Sequence, residues 1–158
     1  MITFKELLHE ASSQQFTNWI RPSDSSLDLE YKVEYLFRKD SWDSSRCLSI
    51  GHRTPLFNSV QEFKQQVNSS PIKPLSEALD GRIMNRSQCT TLQGLQRLVN
   101  GYLHPRDVQG IIHGFKTNQP MELPIVICGS KGMFIFSGNT RLDICSLLGV
   151  PKKAIFIG

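Results

Sequence analysis

LPIVICGSKGMFIFSGNTRLD, residues 123–143, is the stretch whose reading decides the fold. Residues 123–128 form a continuous apolar run with β-branched side chains, which predicts a buried strand. Gly129, Ser130, Lys131 and Gly132 supply a turn into a second apolar run over 133–136, so the two strands read as a hairpin. From Asn139 the period becomes helical. Leu142, Cys145 and Leu148 line one face until Gly149 and Pro151 stop the helix, and residues 154–157 make a last strand.

Upstream, Thr90 or Thr91 can cap a helix with the apolar face Leu92, Leu95, Leu98, Val99 and Tyr102, ended by Asn100 and Gly101. His104 precedes Pro105, a favoured first helical residue, and Val108, Ile111, Ile112 and Phe115 form the next apolar stripe. The order helix, helix, strand, strand, helix, strand predicts an α+β (α/β-type) domain with a small mixed sheet flanked by helices. Closer to the N-terminus, Ile2, Phe4, Leu7, Leu8 and Ala11 suggest a short amphipathic helix, and residues 12–28 read as a connection. Tyr31, Val33, Tyr35 and Phe37 alternate as in a half-buried strand, with Leu36 breaking the pattern. Residues 47–50 are a further strand candidate, and Pro55 can open the element that follows. Phe57, Val60, Phe63 and Val67 predict a helix that stops before Asn68, Ser69, Ser70 and Pro71.

The chain has 158 residues, of which 39% are apolar and 20% charged, a composition suited to one domain with an ordinary core. No apolar run approaches the roughly 18–20 residues needed to span a bilayer. Cys47, Cys89, Cys128 and Cys145 are widely spaced without a C-x-x-C, which reads as four reduced thiols in a cytoplasmic protein (host cytoplasm if phage-encoded). The formal charge of +4 is unevenly spread. Residues 1–45 carry five basic and eight acidic side chains, whereas residues 46–106 carry eight basic and three acidic, an excess that could fold over an anion site.

The chemistry concentrates at Ser137-Gly138-Asn139-Thr140-Arg141. A strand that runs directly into a helix leaves the first helical N–H groups without intrahelical partners, at the positive end of the dipole. That arrangement suits a phosphate, with Gly138 allowing close approach, Thr140 adding a hydroxyl and Arg141 a planar fork of donors. A tight turn followed by a surface arginine accounts for the same residues without a ligand.

Residues 102–158, a little over a third of the chain, resemble the N-terminal domain of the ParB/sulfiredoxin-like superfamily. The likeness is carried by His104-Pro105-Arg106-Asp107, Leu123-Pro124-Ile125-Val126-Ile127, Ser137-Gly138-Asn139-Thr140-Arg141-Leu142 and Leu147-Leu148-Gly149-Val150. Arg82-Ile83-Met84-Asn85-Arg86-Ser87 and the helix after it are similar to stand-alone phage and prophage members. The resemblance implies that Gly138, Asn139, Thr140 and Arg141 bind nucleotide phosphates. It divides the chain into an N-terminal extension, 1–70, of amphipathic helix, strand and helix packed on the body, and a ParB/sulfiredoxin-like domain, 71–158. Two departures matter. Sulfiredoxin carries a nucleophilic cysteine where this chain has Asn139, so sulfinic acid reduction is not expected. Partition proteins continue into a helix-turn-helix domain, and with nine residues after Gly149 none is expected here.

The similar free serine kinases imply a nucleotide, ATP or another nucleoside triphosphate with Mg²⁺, held for phosphoryl transfer or hydrolysis. Such chemistry needs cations on the phosphates and a carboxylate for metal or nucleophile. Arg106 joins Arg141 as a candidate cation, with Arg82 and Arg86 as further anion contacts. Asp107, Glu77 and His104 are the catalytic candidates, and Asp80 an alternative to Glu77. Each has a plainer reading: Asp107, like Asp143, as an acid favouring a helix dipole, Glu77 and Asp80 as solvated carboxylates, His104 as a cap. The competing functions are a DNA-binding protein or nuclease of the ParB-like class, and a non-catalytic phage accessory or regulatory module. DNA is therefore a second possible partner, with steeply salt-dependent binding.

Overall fold

The computed structural model of the protein describes residues 16–23, 26, 29, 32–38, 40–53, 56–102 and 105–158. Its centre is the hairpin of β4 (Ile125–Gly129) and β5 (Gly132–Ser137), paired antiparallel from Ile127 opposite Phe134 to Gly129 opposite Gly132. The strand β6 (Lys153–Ile157) lies parallel to β4, and β2 (Ile72–Pro74) closes the sheet antiparallel to β6. The sheet order is β2-β6-β4-β5. A mixed sheet of this kind with helices packed on it is a compact α+β fold.

The apolar run of β4 is continuous because both faces of the sheet are covered. Ile125 and Ile127 point into a core with Phe134, Phe136, Ile155 and Ile157, and Leu36, Cys47, Ile50, Phe63 and Val67 pack against them. Val126 points the other way, to Met133, Ile135, Ala154, Leu142, Leu75 and Ile83. Side chains from before and after residue 70 therefore fill one common core. A third cluster joins α4 (Leu92–Asn100), α5 (Val108–Lys116) and α6 (Asn139–Leu148) through Leu95, Val99, Val108, Ile112, Phe115, Ile144, Cys145 and Leu148.

Several elements differ from the sequence reading. The proposed strand at 31–37 is a 3₁₀ helix over Val33–Phe37. Its buried residues are Val33 and Leu36, three apart, so the leucine that interrupts the alternation is the one the core selects. The strand candidate at 47–50 belongs to α1 (Trp42–Ser49), where the Ser41 hydroxyl accepts a bond from the Ser44 N–H and Ser44 and Cys47 are buried at helical spacing. The helix α2 (Val60–Ser69) runs past Asn68 to Ser69, with Ser70 as its C-cap, and α3 (Glu77–Asp80) is a single turn. Pro105 is not the first residue of α5. Asp107 is its N-cap, accepting from the Gly110 N–H at 3.0 Å. Within 12–28, β1 (Trp19–Ile20) pairs in parallel with β3 (Met121–Glu122), and the Trp19 ring lies 5.2 Å from Phe16 and 5.4 Å from Phe115. The amphipathic helix expected within 2–11, and Pro55, lie outside the described residues. Among the described residues, no helix is long and apolar enough to cross a membrane.

Candidate functional site

Strand β5 hands the chain to α6 through Gly138, whose φ of 109° lies in the left-handed region. A Cβ there would sit 2.6 Å from Pro124 Cβ and 2.8 Å from Pro124 Cα. The glycine is thus required by backbone handedness and by its packing on Pro124. Having no side chain, it also leaves the first turn of α6 without a side-chain cap.

That helix start forms part of the wall of a cleft of about 840 Å³. Ile135, Phe136, Ser137, Gly138, Asn139, Thr140 and Arg141 line one side of it, and Asn85, Tyr102, Arg106, Met121 and Glu122 also face it. A further wall comes from Lys32, Tyr35, Arg38, Asp40, Ser41, Trp42 and Asp43, a stretch whose first part reads from sequence as a strand. Among the described residues, the cations on the cleft are therefore Lys32, Arg38, Arg106 and Arg141. Of the basic central block only Arg106 reaches it, and two of the others come from the stretch whose charges sum to acidic. Arg141 Nη2 donates to the buried Ser137 hydroxyl at 3.1 Å, and Nη1 lies 4.0 Å from Glu122 Oε2. Glu122 in turn accepts from the Ser26 hydroxyl at 3.0 Å. Burial raises the Asp43 carboxyl above its ordinary range, against the opposing pull of Arg46 and Lys32.

Beneath the cleft lies a buried ionic network. Arg86 Nε and Nη2 donate to the two carboxylate oxygens of Asp80, while Nη1 reaches Asp143 Oδ1 and Asn139 Oδ1, each at 2.8 Å. Lys152 Nζ bonds the second Asp80 oxygen at 2.8 Å, and the Ser87 hydroxyl donates to Asp143. Asn139 Nδ2 also donates to the Asn85 carbonyl at 2.9 Å. Asn85 exchanges two bonds with the backbone of Ile135, at 2.7 and 2.9 Å, and so extends β5 by side-chain pairing. The network fastens segment 80–87 to β5 and to the first residue of α6.

This arrangement corrects the sequence reading at several positions. Arg86 is held by two carboxylates and is not available to a ligand in the cleft; Asp80 and Asp143 are buried partners of a cation, not a solvated acid and a simple dipole acid. Asn139 lines the cleft, but its amide is engaged with Arg86 and Asn85. Arg82 is exposed and lies outside the cleft lining, as does Glu77, which opens α3 facing solvent. Asp107 caps α5 and does not line the cleft. His104 lies outside the described residues. One signal for what was missed was present in the sequence: Ser41 is a capping residue type ahead of Ser44 and Cys47 at helical spacing. The pairing of Asn85 with Ile135, 50 positions away, has no local signal.

Among the described residues, the carboxylates on the cleft are Asp40, Asp43 and Glu122. The described residues hold no group of three or more His, Cys, Asp or Glu that could cage a metal ion. A Mg²⁺ carried on phosphates needs only one or two protein carboxylates, and these three are the residues that could supply them.

The network also sets a pH dependence. Burial alone would raise the Asp80 carboxyl, but the hydrogen bonds and charges of Arg86 and Lys152 together outweigh it and hold the group below its ordinary value of 3.8. A depressed folded-state pKa gives stability that is complete above the unfolded value and is lost as pH falls through the folded one. Thermal melts should therefore show this contribution intact from about pH 5 to 8 and declining below about pH 4. Asp80→Asn, less stable at neutral pH, should show a shallower acid decline than wild type. An equal acid slope in both would remove Asp80 from the account.

Comparison of the chain with protein-family models, with curated proteins and with solved structures gives no match to any of them.

Proposed function

We propose that the cleft binds the phosphates of a nucleotide, ATP or another nucleoside triphosphate, at the start of α6. The observation that carries this reading is the meeting, in one cleft of about 840 Å³, of an uncapped helix start with Arg141 and Arg106. The volume falls within the range of roughly 300–1,000 Å³ typical of small-molecule sites. Helix N–H groups and the dipole favour an oxyanion, and guanidinium forks match phosphate oxygens in pairs. Glu122, 4.0 Å from Arg141, holds the fork near the helix start, and an incoming phosphate would compete with it.

Of the carboxylates Asp40, Asp43 and Glu122, the first two come from the wall that begins at Lys32, and Glu122 lies beside Arg141 of the Gly138–Arg141 box. They suffice for Mg²⁺ arriving with the nucleotide and carry no further step. The reading is thus nucleotide binding, with phosphoryl transfer or hydrolysis as the reaction such a complex would support, in a reducing, cytoplasmic setting. The ParB/sulfiredoxin-like resemblance at the same junction adds to it. Nucleic-acid binding is less well supported, because Arg86 and Lys152 are spent in the buried network and Arg46 stacks on Trp42.

Titration calorimetry against ATP, CTP, GTP and ADP, with and without Mg²⁺, tests the proposal. Arg141→Ala should weaken binding by about 1.5–3 kcal/mol, roughly ten- to a hundredfold. Binding indifferent to Arg141→Ala, or no binding at millimolar nucleotide, would overturn it.

A further inference from the structure

Among the described residues, the most exposed of the large apolar residues is Trp42, at 61%, and it lines the cleft. Its position is set by its neighbours. Ser41 caps α1 and donates its hydroxyl to the Tyr35 carbonyl, and the Ser44 hydroxyl donates to the Arg38 carbonyl. Residues 35–44 are thereby tied together, with the indole at the first helical position. One turn along, the Arg46 guanidinium lies over the indole, its Cζ 3.2 Å from the ring centroid. Arg46 Nε is buried and makes no hydrogen bond among the described residues, so the indole is its close neighbour. Trp42 lines the cleft and Arg46 does not, so the guanidinium leaves the indole accessible from the cleft.

We infer that the Trp42 face turned to the cleft is the stacking platform for the base of the bound nucleotide, which assigns the base to the α1 end and the phosphates to the α6 end. The inference rests on the nucleotide reading and adds a specificity subsite to it. A planar base gains from an indole whatever its identity, because every base has a π-face. The Arg46 contact holds the ring before binding and so lowers the ordering cost. A cationic ligand is the other natural guest of an aromatic face, but Arg46 already occupies the indole, and Lys32 and Arg38 line the same wall. Asp40 and Asp43, close to Trp42 in sequence and on the same wall, can accept hydrogen bonds from base amino or ribose hydroxyl groups.

Fluorescence and calorimetry on the full chain separate the two ends. Trp19 is half-buried between Phe16 and Phe115, so the exposed Trp42 dominates any quenching by a stacked base. ATP, CTP and GTP should quench the emission, whereas inorganic tripolyphosphate should bind without quenching. Trp42→Leu should abolish the quench and weaken nucleotide binding about tenfold or more, leaving tripolyphosphate binding unchanged. Trp42→Phe, which keeps a ring, should recover most of the affinity. Nucleotide binding unaltered by Trp42→Leu would overturn the stacking platform and leave the phosphate site standing. Failure of both nucleotide and tripolyphosphate to bind wild type would overturn both.

Discussion

Arg86→Ala is expected to destabilise the fold by about 3–5 kcal/mol, measured by urea denaturation at neutral pH. The Arg86, Asp80 and Asp143 side chains are 2%, 6% and 1% exposed, so solvent gives none of them an alternative partner. Removing the guanidinium strands two buried carboxylates. Lys152 still pairs Asp80, and Asp143 keeps its bonds from the Ser87 hydroxyl and the Cys89 thiol, but neither carboxylate keeps the guanidinium that joins them. Since small domains are stable by about 5–15 kcal/mol, the variant stands close to unfolding. Arg86→Lys keeps the charge but cannot span Asp80, Asp143 and Asn139 together, and should lose less than the alanine variant. A loss below about 1 kcal/mol for Arg86→Ala would show that water satisfies the carboxylates and that the network is not a closed one.

Gly138→Ala should cost about 2–5 kcal/mol, combining the strain of a positive φ with overpacking. The two contributions can be separated. Asparagine tolerates left-handed backbone better than alanine, so it would recover stability if φ were the whole cost. Its Cβ still meets Pro124, which the structure sets 2.6 Å from the position a Cβ would take, so Gly138→Asn should remain strongly destabilised. Recovery by asparagine would assign the glycine to conformation alone. Because the same residue sets the entry of α6, a shift there also displaces the first-turn N–H groups, and nucleotide binding should weaken with stability.

The second half of the chain was legible because its signals are local and agree with one another. In residues 123–148, continuous apolar runs, a glycine turn and a change to helical period each point to the element found. Thr91 caps α4 by accepting from the Gly94 N–H at 3.0 Å, as its position implies. Residues 31–50 misled because alternation counted four side chains and discounted Leu36, which the core buries completely. A short amphipathic segment satisfies two periods at once, and only the surface it packs against chooses between them. Cys47 and Ile50 read as strand residues for the same reason, until the Ser41 cap and the sheet above them make that segment a helix.

The candidate site divides along the same line. Sequence alone determined the box, because a strand ending at a glycine followed directly by a helix is a property of neighbouring residues, and with it came Gly138, Thr140 and Arg141. It also determined the α+β order of the second half. What only the tertiary structure decided was partnership. Arg86, Asp80 and Asp143 are separated by up to 63 positions yet share one buried network, and no local pattern distinguishes a surface arginine from one enclosed by two carboxylates. Equally, the wall from Lys32 to Asp43 meets the box across more than 90 residues of chain, because hydrophobic burial is non-directional and brings together whatever apolar faces the chain offers. The ionic and aromatic groups of the cleft ride on those faces, so their chemistry is written in the sequence while their meeting is fixed by the packing of Leu36, Cys47 and Ile50 beneath them.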